Sequence, residues 1–215
     1  MKVLLLHAFP VDERMWEPQR AVLTGHEVAA PRLYGRGSTM EAWADSIAGE
    51  HEGEHTVVGA SMGGYCALAL AARAPERVRA LLLLGARPDA DSEERRAGRA
   101  DTIELIRSEG PEGLWRSMVP KLFADERHAE GSLLHRDPDG PIGAVEAIRD
   151  RKDSTAVVRS FGGPLQFVVG ESDPFVSADE LADHDAREIA GAGHLANLER
   201  PDEFNEILRD FLVRV

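Results

Sequence analysis

The sequence predicts an α/β fold: a compact, mostly parallel sheet of about six strands with helices on both faces. Three observations carry that expectation. Short, largely apolar runs recur at Lys2 to His7, Glu54 to Ala60, Arg79 to Gly85 and Pro164 to Gly170, as strands buried on both faces require. Helix-periodic stretches alternate with strands at both ends of the chain, and parallel strands need such crossovers. At Val57-Val58-Gly59-Ala60-Ser61-Met62-Gly63-Gly64 a β-branched strand meets a serine and turns at once into an Ala/Leu-rich helix.

Taken in order, Lys2 to His7 is the first strand, ending in His7-Ala8-Phe9-Pro10. Asp12 to Leu23 reads as a helix with Met15, Trp16, Val22 and Leu23 as its apolar points, closed by Gly25. His26 to Ala30 is the second strand, stopped by Pro31, and 33–38 is a loop. Thr39 opens a helix on which Met40, Trp43, Ala44 and Ile47 share a face. After the serine turn, a helix runs to Ala74 and ends at Pro75; Ala80 to Leu84 is the next strand.

From Ala86 the texture changes. Residues 89–99 are strongly charged, and Thr102 to Ser108, Gly113 to Phe123 and Pro141 to Arg151 read as short helices around a polar stretch at 125–140. Residues 86–152 are therefore expected to be a helical cap inserted before the strand Leu165 to Val169, within a single domain spanning 1–215. Asp185 to Ala190 is a short strand. Pro201 to Val215 is the last helix, with Pro201, Asp202 and Glu203 in its first turn and Phe204, Ile207, Leu208, Phe211 and Leu212 on one face.

Composition narrows the function classes. A formal charge of −13 argues against a nucleic-acid partner, which needs a basic face. The single cysteine excludes an internal disulfide framework. The apolar run at the N-terminus is too short to span a membrane and has no small-residue cleavage site, so a cytoplasmic location is expected, as a monomer or homodimer. The histidines show no metal-ligand spacing, and no metal or cofactor is expected.

The chemistry centres on Gly59-Ala60-Ser61-Met62-Gly63, a Gly-x-Ser-x-Gly pattern. A serine on a sharp strand-to-helix turn is crowded, and glycines two positions either side remove the side chains that would collide. Its hydroxyl would then project above the sheet edge. The competing explanation is a glycine-rich turn with an incidental serine, so partners must be found. Functional groups gather beyond the carboxyl ends of parallel strands. Asp173 follows one strand end and His194, in Gly191-Ala192-Gly193-His194, follows the next. Ser61 would be the nucleophile, His194 the general base and Asp173 the acid that orients the histidine. Asp89 and Glu171 compete for the acid role, and a histidine in a glycine-rich loop can be a plain surface residue. The amides of Met62 and Phe9 would stabilise an oxyanion. Cys66 reads as a small buried residue.

These residues resemble the α/β-hydrolase superfamily over nearly the whole chain. His7 to Pro10 resembles its oxyanion loop, Tyr34-Gly35-Arg36-Gly37-Ser38 its Gly-x-Gly-x-Ser loop, Gly59 to Gly63 its nucleophile elbow, Gly170 to Asp173 its acid turn, and Gly193-His194 through Pro201 its histidine loop. The order Ser61, Asp173, His194 is the family's order. Residues 147–154 make the cap similar to those of small serine esterases and 3-oxoadipate enol-lactonase-like hydrolases. Three departures stand out: Ala8 where the family usually has glycine, Arg32 where many members have aspartate, and an expected absence of the usual N-terminal hairpin.

The resemblance implies hydrolysis of a small carboxylic ester or lactone through an acyl-enzyme, without a cofactor. Thioesterase, carbon–carbon hydrolase and acyltransferase activities use similar parts. A binding protein on the same fold with little turnover, or an unrelated parallel α/β protein, would be the contrasting outcomes. Besides Phe9 and Met62, the pocket wall is expected to include Trp16, Trp115, Phe123, Phe175 and Leu195, with Trp115 and Phe123 serving packing as well. A carboxylate-bearing lactone would call for a cation, and Arg36 and Arg149 are the candidates.

Overall fold

The computed structural model describes residues 1–137 and 139–215. Six parallel strands among them form one sheet in the order β2-β1-β3-β4-β5-β6: β1 Lys2–Leu6, β2 Glu27–Ala29, β3 His55–Ala60, β4 Val78–Leu84, β5 Leu165–Gly170 and β6 Ala186–Ile189. Every register is parallel, so the carboxyl ends of all six strands lie along one edge.

The sheet is buried on both faces because successive side chains alternate. Leu4, Leu6, Val57, Leu81, Leu83, Phe167 and Val169 pack on one side, against α1 (Met40–Glu50) and α2 (Met62–Arg73). Val3, Leu5, Val58, Ala80, Leu82, Leu84 and Val168 pack on the other, against residues 13–23, α6 (Ala196–Glu199) and α7 (Pro201–Val213). α7 buries the apolar face expected from its spacing, Phe204, Ile207, Leu208, Phe211 and Leu212. Each such side chain contributes roughly 2 kcal/mol before chain entropy is counted.

Two local features refine what the sequence suggests. The helix expected over Asp12 to Leu23 is present, and over Glu13–Leu23 it winds as a 3-10 helix. Pro18 sits inside it and cannot donate to an i−4 carbonyl. The charged stretch after β4 is also helical: α3 runs Glu93–Leu122, capped by the Ser92 side chain, which accepts the Arg95 amide at 3.3 Å, and broken at Gly110 (φ 68°) before Pro111. Alanine, arginine and glutamate favour helix there. α4 (Asp139–Arg149) packs against α3, and α5 (Thr155–Ser160) leads back to β5. Among the described residues no helix is long and apolar enough to cross a membrane.

Candidate active site

Ser61 follows β3 and is the N-cap of α2, with φ 49° and ψ −112°; among the described residues it alone has a positive φ without being glycine. Two hydrogen bonds hold that conformation. Its amide donates to the Leu84 carbonyl at 2.7 Å, and its carbonyl accepts the Tyr65 amide at 3.1 Å. The neighbouring glycines are required by contact. A Cβ on Gly59 would stand 2.6 Å from the Gly63 carbonyl oxygen, and one on Gly63 would stand 2.0 Å from that of Leu6. Helix α2 can therefore start directly over the end of β1. The Ser61 side chain does not cap the helix, so its hydroxyl is not engaged there. The amide of Met62, in the first helical turn, has no acceptor within the helix.

Asp173 follows β5, and His194 follows β6 by five residues. The Asp173 Oδ2 to His194 Nδ1 distance is 2.7 Å, with both side chains almost fully enclosed. The other carboxylate oxygen, Oδ1, accepts the amides of Phe175 at 2.8 Å and Val176 at 3.3 Å. The Phe175 ring meets the imidazole edge-on at 4.7 Å between centroids. With Nδ1 donating to the carboxylate, Nε2 is the imidazole nitrogen left to accept a proton.

The loop that carries His194 is fixed from below. The buried Glu199 carboxylate accepts the Gly193 amide at 2.5 Å and the Asp125 amide at 2.9 Å, and the Leu195 amide donates to the Leu122 carbonyl at 3.0 Å. His7 fixes the loop that carries Phe9. Its Nε2 accepts the Leu33 amide at 2.9 Å and its Nδ1 lies 3.0 Å from the Ala8 carbonyl, which sets the tautomer. Burial pushes its pKa down to about 4, so the ring is neutral in this role.

Phe9, Ser61, Tyr65, Phe175 and His194 border a cavity of ≈ 30 Å³. Arg99, Met118 and Leu122 of α3 and Ile148 of α4 complete its wall. Thus Ser61 and His194, far apart in sequence, face one space. Of the wall residues expected from sequence, Phe9 and Phe175 are there. Met62, Trp16, Trp115, Phe123 and Leu195 are not among its lining residues, and the Met62 side chain is fully buried in the core. Trp16 packs on Phe204 and Leu195 lies in the same core, while Trp115 stands edge-on to Phe123. Arg36 is turned to Ser46 and Glu50, and Arg149 to Asp150, so neither candidate cation lines the cavity. Asp89 and Glu171 are also engaged elsewhere, with Arg87 and with the Gly191 amide.

Two residues escaped sequence reasoning. Gly85, just past β4, lies against the Asp173–His194 pair. Arg99 enters the cavity from α3; its signal was a face of α3 with Arg95, Arg99 and Thr102 at i, i+4 and i+7.

The sequence matches the model of the "Alpha/beta hydrolase family" over residues 3–207. The chain belongs to the alpha/beta hydrolase family. A pimeloyl-[acyl-carrier protein] methyl ester esterase from Aromatoleum aromaticum is 30% identical to this hydrolase-family chain over 71% of its length, and the chain spans 58% of that esterase. An esterase from Mycobacterium tuberculosis is 27% identical, covering 98% of this chain and 82% of its own. Among solved structures, a thermophilic esterase from Thermogutta terrifontis with malate bound superposes with a TM-score of 0.88 at 30% identity, over 100% of this chain and 91% of that one. The enol-lactonase from Burkholderia xenovorans superposes at 0.82 with 26% identity, over 99% and 91% of the two chains.

Proposed function

We propose that this hydrolase-family chain is a serine hydrolase that cleaves a small carboxylic ester or lactone through an acyl-enzyme. One observation carries the reading: His194, held by Asp173 at 2.7 Å, borders the same cavity as the backbone-strained Ser61. The similarity to proteins described as esterases and an enol-lactonase supports it.

Ser61 Oγ attacks the carbonyl carbon as its proton passes to His194 Nε2. Asp173 stabilises the resulting imidazolium and keeps the ring oriented. The carbonyl oxygen becomes an oxyanion, received by the amides of Met62 and Phe9; each such donor lowers the barrier by about 3 kcal/mol. Collapse breaks the ester bond, and the leaving oxygen takes the proton from His194. Water then attacks the acyl-enzyme, giving its proton to His194 and releasing the acid and Ser61. In this reading residues 86–152 act as the cap, since α3 and α4 supply the cavity wall facing Ser61.

Intact mass after treatment with a fluorophosphonate tests the reading. Wild type should gain one adduct and Ser61→Ala none. Folded wild type that gains no adduct would overturn it.

A further inference from the structure

The cavity at Ser61 opens beside a larger one of ≈ 380 Å³, and Phe9, Tyr65, Arg99, Met118 and Phe175 border both. The larger cavity's walls carry four cations, Arg87, Arg95, Arg99 and Lys121, against two carboxylates, Asp91 and Glu180. This positive lining belongs to a chain whose formal charge is −13. Most of its surface repels an anion, while this concavity attracts one.

Arg99 is the cation shared by both cavities, and its surroundings fix it. Its Nε donates to Asp91 Oδ2 at 3.0 Å. The other Asp91 oxygen accepts from Arg151 Nη1 at 2.6 Å, and both side chains of that pair are almost fully enclosed. Arg151 is itself locked by the Ile148 carbonyl at 2.9 Å, the Asp89 carbonyl at 3.0 Å and the face of Tyr65, 4.1 Å from its guanidinium carbon. One carboxylate thus serves two guanidiniums, leaving one positive charge uncompensated within the group. Among the described residues the two terminal nitrogens of Arg99 have no hydrogen-bond partner, in a side chain 23% exposed. A planar guanidinium with both terminal nitrogens unspent matches a carboxylate in two-point geometry.

We propose that Arg99 is a specificity-determining residue that binds a second, ionised carboxylate on the substrate. The favoured substrates are then half-esters of short dicarboxylic acids, or lactones bearing a free acid. The ester carbonyl would sit at Ser61 and the free carboxylate at Arg99, a short carbon chain away because both residues border the ≈ 30 Å³ cavity. Arg87 and Arg95 serve this site less directly, since Arg87 bonds Asp89 and Glu180 and Arg95 bonds Asp89. This inference rests on the serine-hydrolase reading, and its test separates the two.

The test compares the monomethyl esters of succinate, glutarate and adipate with their dimethyl esters. Each protein's ratio of kcat/KM for the half-ester over the diester is internal to that protein, so partial misfolding cancels. Wild type should favour its best half-ester by roughly 10- to 100-fold, the range of a charge-assisted hydrogen-bonded pair. Arg99→Met should bring that ratio to about one-tenth of its wild-type value or below, and Arg99→Lys should fall between. In parallel, glutarate binding is measured by calorimetry on Ser61→Ala with and without Arg99→Met; binding should weaken with the second change. Ester turnover without a half-ester preference, or a preference untouched by Arg99→Met, overturns the inference and leaves the hydrolase reading standing. Glutarate binding that depends on Arg99, with no turnover of any ester, keeps Arg99 as a carboxylate-binding residue but overturns the hydrolase reading and, with it, the half-ester substrates. Neither turnover nor binding overturns both.

Discussion

Gly85 lies against the imidazole of His194. A Cβ built on it would stand 2.8 Å from His194 Cε1, 2.9 Å from Nδ1 and 3.2 Å from Asp173 Oδ2. Its φ of +57° is also one that side chains adopt reluctantly. Gly85→Ala should therefore push the imidazole off Asp173 and lower kcat/KM for an ester by about 100-fold or more, as misplacement near the chemistry does. Folding stability should fall by about 1–2 kcal/mol. Steady-state kinetics with urea unfolding checks both; unchanged turnover would mean that the pair tolerates displacement.

Ser61 carries the complementary cost. Its φ of 49° is forced by the turn, and glycine adopts such angles freely. Ser61→Gly should abolish ester turnover yet stabilise the fold by about 1 kcal/mol, the strain relieved less the added freedom of the unfolded chain. Thermal unfolding should show a rise of about 2–4 °C. A fall in melting temperature would show that the elbow holds no strain.

His7 makes stability depend on pH. Its folded pKa is lowered to about 4 by burial, from 6.5 when unfolded. Between these values the unfolded chain binds more protons, so the contribution is intact above pH 6.5, falls as pH drops, and is fully lost below about 4. Urea unfolding at pH 7.5 and pH 5 should show a loss of about 2 kcal/mol in wild type that His7→Asn lacks. Equal losses in the two proteins would remove His7 as the cause.

Glu199 supports the site without bordering its cavity. Its carboxylate holds the amides of Gly193 and Asp125. Glu199→Ala should cost about 2–4 kcal/mol of stability, since two amides lose a charged acceptor. It should also slow ester turnover by releasing the loop of His194. Denaturant unfolding together with kinetics would reveal both effects, and a variant as stable as wild type would contradict the tie.

Cys66 should be inert. Burial pushes its thiol up to about 12. A thiol-reactive disulfide reagent should label it in urea and leave the native protein unmodified; rapid native labelling would require an opening of α2.

Much of this was legible in sequence because it is local. A fully apolar run such as Leu81 to Leu84, between turn residues, reads as a strand buried on both faces, and the glycine spacing around Ser61 is a steric demand of the strand-to-helix turn. Asp173 and His194 were legible because strand ends are visible in sequence. The cation was not. Arg36 and Arg99 both lie among polar residues, and only the packing of α3, whose first half carries Arg99, decides which one reaches the cavity. Trp16 misled for a related reason: an apolar point on a helix can face cavity or core, and Trp16 packs on Phe204 in the core. Gly85 gave no sign, because its neighbours arrive from strands β5 and β6, remote in sequence.

The sheet order has a consequence for how the molecule comes to life. β1, β3 and β4 occupy the middle and can pair from the first part of the chain, whereas Asp173 and His194 arrive with β5 and β6, on the last edge. Parallel pairings between remote segments are slow to form. During refolding of a variant that keeps only Trp43, buried on the inner face of α1, the tryptophan signal should recover before hydrolysis does. The enzyme's own turnover would then serve as a late clock, starting only when the final strands have docked.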